Sequence, residues 1–390
     1  MKTSILKKLR LYHFVGLIIF YQIWNYLFSS NYKTHNNAND LENTYLNSLP
    51  IILIGPKNPI INKNFESIYM NEKNRIERFQ NTTGNKLKTL TFTDAANRYP
   101  STVQQPEYII LHKPDAGACK DYANEFAWPS HLIDAELKSC IEKGQFLSDT
   151  CRIVSDYFLY DPHLPHNSNP NFKNLRLKAI NRKRTFLELG ALGGLPDQSM
   201  TLVFERVFGF NTWKGIGIEA TPANFGQLMM NRPCIYKAEV AAGKKWGTTQ
   251  FTGWGGCCSG IDTDMNTKHK KVFHGAQSQS FTVGTAPVSD VLLGAGILVL
   301  DFWVLDVEGG ELSILKGMNF KDVKVQMLLI EVDRKTPKYN ETADIMGKNG
   351  FFEDLKHFKS WHNLNTLWIN RDAEPWIYER YLAFSPNWEA

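Results

Sequence analysis

The chain has 390 residues, 43% of them hydrophobic and 21% charged, with a net charge of +5. That composition excludes a disordered chain and a polytopic membrane protein, and the length allows one large core with a smaller module. Part of the positive charge sits at Lys2, Lys7, Lys8 and Arg10, so the net charge gives no nucleic-acid footprint.

The basic cluster in residues 1–10 precedes an uncharged stretch, LYHFVGLIIFYQIWNYLF, at 11–28. At about 1.5 Å per residue a helix of this length reaches roughly 27 Å, enough for a thin bilayer. Tyr12, Tyr21, Trp24 and Tyr26 suit the interfaces, and no small-x-small cleavage site follows. The expected topology is therefore an uncleaved, single-pass type II signal anchor. It has a cytosolic tail at 1–10 and a lumenal bulk in the Golgi or endoplasmic reticulum. Residues 29–48, polar and Asn-rich, read as a stalk.

Residues 49–180 read as an N-terminal extension packed on, or lying beside, the next domain. Ile51–Ile54 and Tyr108–Leu111 look like strands, and Ser130–Lys143 has helical spacing. Sequons stand at Asn81 and Asn340. Of the six cysteines, some would pair in an oxidising lumen; otherwise they are buried thiols. No CxxC occurs, so a zinc ribbon is not expected.

From residue 181 to 375 apolar runs alternate with helical stretches, and 376–390 is a tail. Strands are expected at Thr185–Leu189, Gly215–Ile218, Ile235–Val240, Ile297–Leu305, Val325–Val332 and Leu364–Ile369. Helices are expected at Asp197–Phe208, from Pro222 with Thr221 as cap, at Glu311–Gly317 and at Glu341–Lys348. This alternation predicts an α/β fold, a mainly parallel sheet with helices on both faces.

Three segments carry chemistry. Phe186–Gly194, FLELGALGG, ends an apolar strand in an acidic residue and a glycine turn, which permits close backbone approach to a nucleotide-like ligand. GIGIE ends the next strand in Glu219, where a carboxylate hydrogen-bonds ribose hydroxyls in doubly wound folds. DFWVLDVEGGEL delivers Asp306 and Glu308 to the carboxyl edge of the sheet. Glu311 follows closely, and such crowding of like charges needs compensation.

FLELGALGG, TLVFERVFG, GIGIEATPANF with NRP, CSGI, and DFWVLDVEGGELSILKGM with LLIEVD together resemble the FkbM-type methyltransferases. The resemblance runs from about Thr185 to Ile369. It implies a Rossmann-like class I methyltransferase fold, S-adenosyl-L-methionine as donor, and O-methylation of a hydroxyl, here on a glycan or other secretory-pathway acceptor. Carried over by position, Glu188, Gly190 and Gly193 would line the methionine end of the donor and Glu219 its ribose. Ala238 and Glu239 would lie near the adenine. Asp306 and Glu308 would face the reaction centre as catalytic residues, with no metal assigned. Leu192 stands where a small polar residue is often seen. The Lys244–Ala295 insert is expected to hold acceptor contacts, and His269 and His274 read as a solvated basic loop.

Two other functions fit a lumenal, anchored chain. Asp262-Thr263-Asp264 is a DxD, the pattern with which many glycosyltransferases hold a metal and a sugar nucleotide. The fold could also serve as a catalytically inactive binding module, against which Glu188, Glu219 and Asp306 argue.

Overall fold

A computed structural model of the chain describes residues 51–54, 70, 108–143, 147–160, 183–195, 198–209, 212–253, 258–265, 270–271, 279–360 and 364–383. The expected anchor at 11–28, the stalk, Asn81, His269 and His274 lie outside them. Among the described residues no helix is long and apolar enough to cross a membrane.

The extension contributes strands β1 (Ile51–Ile54) and β2 (Ile109–His112), then helices α1 (Ala116–Phe126), α2 (Ile133–Glu142) and α3 (Ser148–Asp156). Next come β3 (Arg184–Leu189), α4 (Leu202–Phe208), β4 (Trp213–Glu219), α5 (Pro222–Asn231) and β5 (Tyr236–Glu239). The insert forms β6 (Ala241–Ala242), β7 (Gly247–Gly253), β8 (Gly260–Ile261) and β9 (Gln279–Ala286), followed by α6 (Val288–Gly294). The chain continues through β10 (Val299–Leu305), α7 (Glu311–Gly317), β11 (Lys324–Glu331), α8 (Pro337–Lys348), β12 (Phe351–Glu353), β13 (Asn365–Asn370) and α9 (Pro375–Ala383).

The main sheet has the order β1-β2-β5-β4-β3-β10-β11-β13-β12. Its centre, from β5 to β11, is parallel. Both flanks are antiparallel, so the sheet is mixed rather than mainly parallel. On one flank β1 and β2 come from the extension. On the other, β13 folds back from β12 and inserts beside β11, a reversal that needs no crossover helix.

Side chains alternate across the central strands, as strand geometry requires. Leu187, Leu189, Trp303, Leu305, Leu328 and Ile330 pack on one face with residues of α6, α7 and α8. Phe186, Phe302, Val304, Met327 and Leu329 pack on the other with residues of α3, α4 and α9. The extension therefore supplies sheet edge and part of a helical layer. Two disulfides staple it: Cys119–Cys234 joins α1 to the segment before β5, and Cys140–Cys151 joins α2 to α3. Cys258 is also disulfide-bonded, so no described cysteine is a buried free thiol.

Pro222 occupies the first turn of α5, where its missing N–H is no loss. Thr221 precedes it without a side-chain capping bond; its backbone N–H instead donates to Glu219 Oε1 at 2.7 Å. The insert forms a second sheet, β6-β9-β7-β8. Phe251 and Val283 of that sheet pack with Ala220 and Ala241, which places it against the carboxyl edge of the main sheet.

Candidate functional site

A cavity of about 290 Å³ opens at the carboxyl edge of the central strands. Gly190, Leu192, Ile218 and Glu219 form one wall. Asp306, Val307, Glu308 and Glu331 form another, with Phe251, Cys258, Ser259 and Ile261 from the insert facing them.

The glycine turn is built by the sheet itself. Gly190 N and Ala191 N both donate to Ile218 O at 3.1 Å, which folds the chain sharply as it leaves β3. Gly190 has a φ of 74°, and a Cβ there would fall 2.0 Å from the Asp306 carbonyl oxygen, so only glycine fits. Leu192 adopts a left-handed φ of 48° and donates its N–H to Glu219 Oε2 at 3.0 Å. Glu219 thus ties the turn to the start of α5. Burial pushes its carboxyl upward, and the Thr221 and Leu192 N–H groups pull it back. The Asn224 side chain bonds the carboxyl too and pulls the same way.

At the other end, Asp306 follows β10 and Glu331 ends β11. The register pairs Leu305 with Ile330, so these two carboxyls leave neighbouring strands at one level. Burial, then Glu331 and Glu308, raise Asp306 well above the usual carboxylate range. Burial, then Glu331 and Glu311, push Glu308 up to about 8. Burial, then Glu331, push Glu311 up to about 7, against the N–H groups it accepts. Those are Val307 N at 3.1 Å and Gly309 N at 3.0 Å, so Glu311 holds the turn that presents Glu308. Glu308 itself sits at a left-handed φ of 57°, a conformation disfavoured for a residue with a side chain.

The structure brings together four of the expected site residues: Gly190, Glu219, Asp306 and Glu308. Glu188 is elsewhere. It is buried behind the turn, with Oε1 accepting Met200 N at 2.6 Å and Oε2 accepting the Ser199 and Thr201 hydroxyls at 2.7 and 2.6 Å. Arg232 lies 3.4 Å away and also pairs with Glu205, so Glu188 belongs to a buried ionic network. Gly193 packs against Gln227 and Gln198. Ala238 pairs with Leu111 of β2 inside the core. Glu239 is buried on the same strand, and the cavity wall there is Val240, Ala241 and Ala242, just beyond it. Glu331 is the cavity carboxylate that the sequence reading left without a role; its signal is the strand end in LLIEVD.

No residue of the DxD lines the cavity, although Ile261 just before it does. Asp262 accepts from Thr252 Oγ1 at 2.7 Å and from Lys270 Nζ at 2.8 Å, and these partners hold its carboxyl below the usual range. Among the described residues no cluster of His, Cys, Asp and Glu has the arrangement of a metal site. The cavity is suited to a polar organic ligand: on its wall, Gln198 Oε1 and Ser259 Oγ are buried without a hydrogen-bond partner among the described residues.

Residues 190–353 match the model of the methyltransferase FkbM domain. The matched stretch takes in the glycine turn, Glu219, the insert, Asp306, Glu308 and Glu331, and over it the chain is similar to methyltransferases of that family. No curated protein matches the chain.

Proposed function

We propose that this methyltransferase domain uses S-adenosylmethionine to methylate a hydroxyl, on a glycan or another acceptor of the secretory pathway. One observation carries the reading: a glycine turn, a ribose-type carboxylate (Glu219) and a crowded group of carboxyls around Asp306 line a single cavity at the carboxyl edge of parallel strands. Glu219 ends β4 on the cavity wall, where a carboxylate binds ribose hydroxyls in doubly wound folds. The Gly190 turn allows backbone approach to the amino-acid end, where Gln198 Oε1 awaits a donor. The donor, when bound, supplies a methyl group already activated on a sulfonium. The protein then has to align an acceptor oxygen and accept its proton. Asp306 is placed for the second task, with Glu308 beside it.

The secretory setting rests on the basic residues before 11–28 and on the disulfides, which persist in oxidising compartments. Under this reading residues 11–28 anchor the chain as a single-pass type II protein with the catalytic domain lumenal. Exposed Asn340 on α8 is then open to glycosylation. The sugar-nucleotide alternative is disfavoured by Asp262, which is engaged by Lys270 and does not line the cavity.

Thermal melting with ligands tests the reading. S-adenosylhomocysteine should raise the melting temperature, because a ligand that binds only the folded state stabilises it. A rise with a sugar nucleotide and manganese instead would establish the glycosyltransferase reading, and a rise with neither would leave a binding module. Protease protection in sealed microsomes tests the topology: complete digestion without detergent would reverse it.

A further inference from the structure

Asp306 and Glu331 stand side by side because β10 and β11 run parallel with Leu305 opposite Ile330. Both line the cavity, so two carboxyls stand next to each other at the ends of neighbouring strands. Two ionised carboxylates so placed repel, and a hydrogen bond between them needs one proton. We propose that Glu331 is a positioning residue of the transfer site: it shares a proton with Asp306 until the donor binds, and the pair releases that proton when a sulfonium enters. The proposal rests on the donor-site reading above and adds to it a role for a residue outside the DVEGGE run.

The surroundings favour a proton over a second charge. From the turn, Glu308 faces the pair; from α7, Glu311; and across the cavity Glu219 ends β4. The nearest cation on α8, Lys338, bonds the carbonyls of Gly309 and Asp264 at 2.7 and 3.1 Å. With burial and like charges all acting against ionisation, Asp306 keeps its proton above the usual carboxylate range. A positive charge in the cavity reverses that balance.

This gives a proton cycle that closes. On donor binding, the proton of the Asp306–Glu331 pair leaves to solvent. During transfer, Asp306 takes the proton of the acceptor hydroxyl as the O–C bond forms, and the sulfur keeps the electron pair of the S–C bond that breaks. The thioether left behind is neutral, so the pair again holds one proton. The net products are a methyl ether, the thioether and one proton in solution.

Calorimetry of the full-length protein near neutral pH tests this without an acceptor. S-adenosylmethionine and S-adenosylhomocysteine are each titrated in buffers of different protonation enthalpy. S-adenosylmethionine should release more protons than S-adenosylhomocysteine, and Glu308, raised to about 8 in the same cavity, adds to the share of the pair. In Glu331→Gln the amide donates to Asp306, and the release should fall by up to about one proton per site, the limit for a pair sharing one proton, while S-adenosylhomocysteine still binds. Equal proton counts for the two ligands, or unchanged release in a folded Glu331→Gln protein, would overturn the proposal and leave the donor site standing. If Glu331→Gln does not fold, the two ligands on the native protein decide alone. If neither ligand binds, the donor-site reading fails and the proposal falls with it.

Discussion

Glu188→Ala separates a structural carboxylate from a ligand-binding one. Glu188 is 2% exposed, and Ser199, Thr201 and Arg232, which bond it, are each 0% exposed. Truncation strips the acceptor from the Met200 N–H and from two hydroxyls, and leaves Arg232 with Glu205 as its carboxylate partner. Breaking a buried ion pair by removing one partner costs about 3–5 kcal/mol. A domain is stable by only about 5–15 kcal/mol, so the variant should unfold at much lower urea. Glu188→Gln keeps the shape and one acceptor oxygen and should cost less, about 1–3 kcal/mol. Tryptophan fluorescence during urea unfolding measures both, with S-adenosylhomocysteine titrated into the folded protein. Affinity in that folded protein should stay within about threefold, under roughly 0.7 kcal/mol. A Glu188→Ala protein that unfolds at the native urea concentration but binds at least about tenfold more weakly, a loss of about 1.4 kcal/mol, would refute the reasoning. It would return Glu188 to the ligand.

Glu219→Ala should weaken S-adenosylhomocysteine binding by roughly 1–3 kcal/mol, about 5- to 150-fold, in a protein that still melts cooperatively; unchanged affinity would remove Glu219 from the ribose site. The raised Glu308 and Glu311 carboxyls make the folded state bind protons that the unfolded chain, with its ordinary value of 4.5, has already lost. Their stabilising contribution is complete below that value and is lost as pH rises through about 7 for Glu311 and about 8 for Glu308. The ligand-free melting temperature should fall over that range, and Glu308→Gln should flatten the upper part. Glu308→Gly should melt higher than Glu308→Gln by the equivalent of about 0.5–1 kcal/mol, because glycine accepts the left-handed φ without strain. Replacing Cys119 and Cys234 by serine opens a link spanning 115 residues and should cost about 2–5 kcal/mol, read as a lower urea midpoint than the native protein under non-reducing conditions.

The sequence by itself determined the elements whose signals are local. Period and composition placed β3, β4, β10 and β11 within a residue or two, and Pro222 and Gly317 marked a helix start and a helix end. The strand-end position of Glu219 and Asp306 was legible for the same reason, since the carboxyl edge follows from strand direction. Only the tertiary structure decided what long-range contacts decide. Nothing local to Glu188 announces Arg232, which reaches it from beyond α5, and a Glu-x-Gly strand end reads alike whether its carboxylate meets a ligand or a guanidinium. Glu331 joined the cavity wall only when register set it beside Asp306. The sheet's antiparallel flanks depend on pairings between distant segments: β2 with β5, and β13 with β11. The insert gave no clear period, yet β7 pairs along its whole length with β9 and puts Phe251 on the cavity wall. Strand pairing joins residues far apart in the chain, and a pattern read along the chain carries no record of which edge a strand will meet.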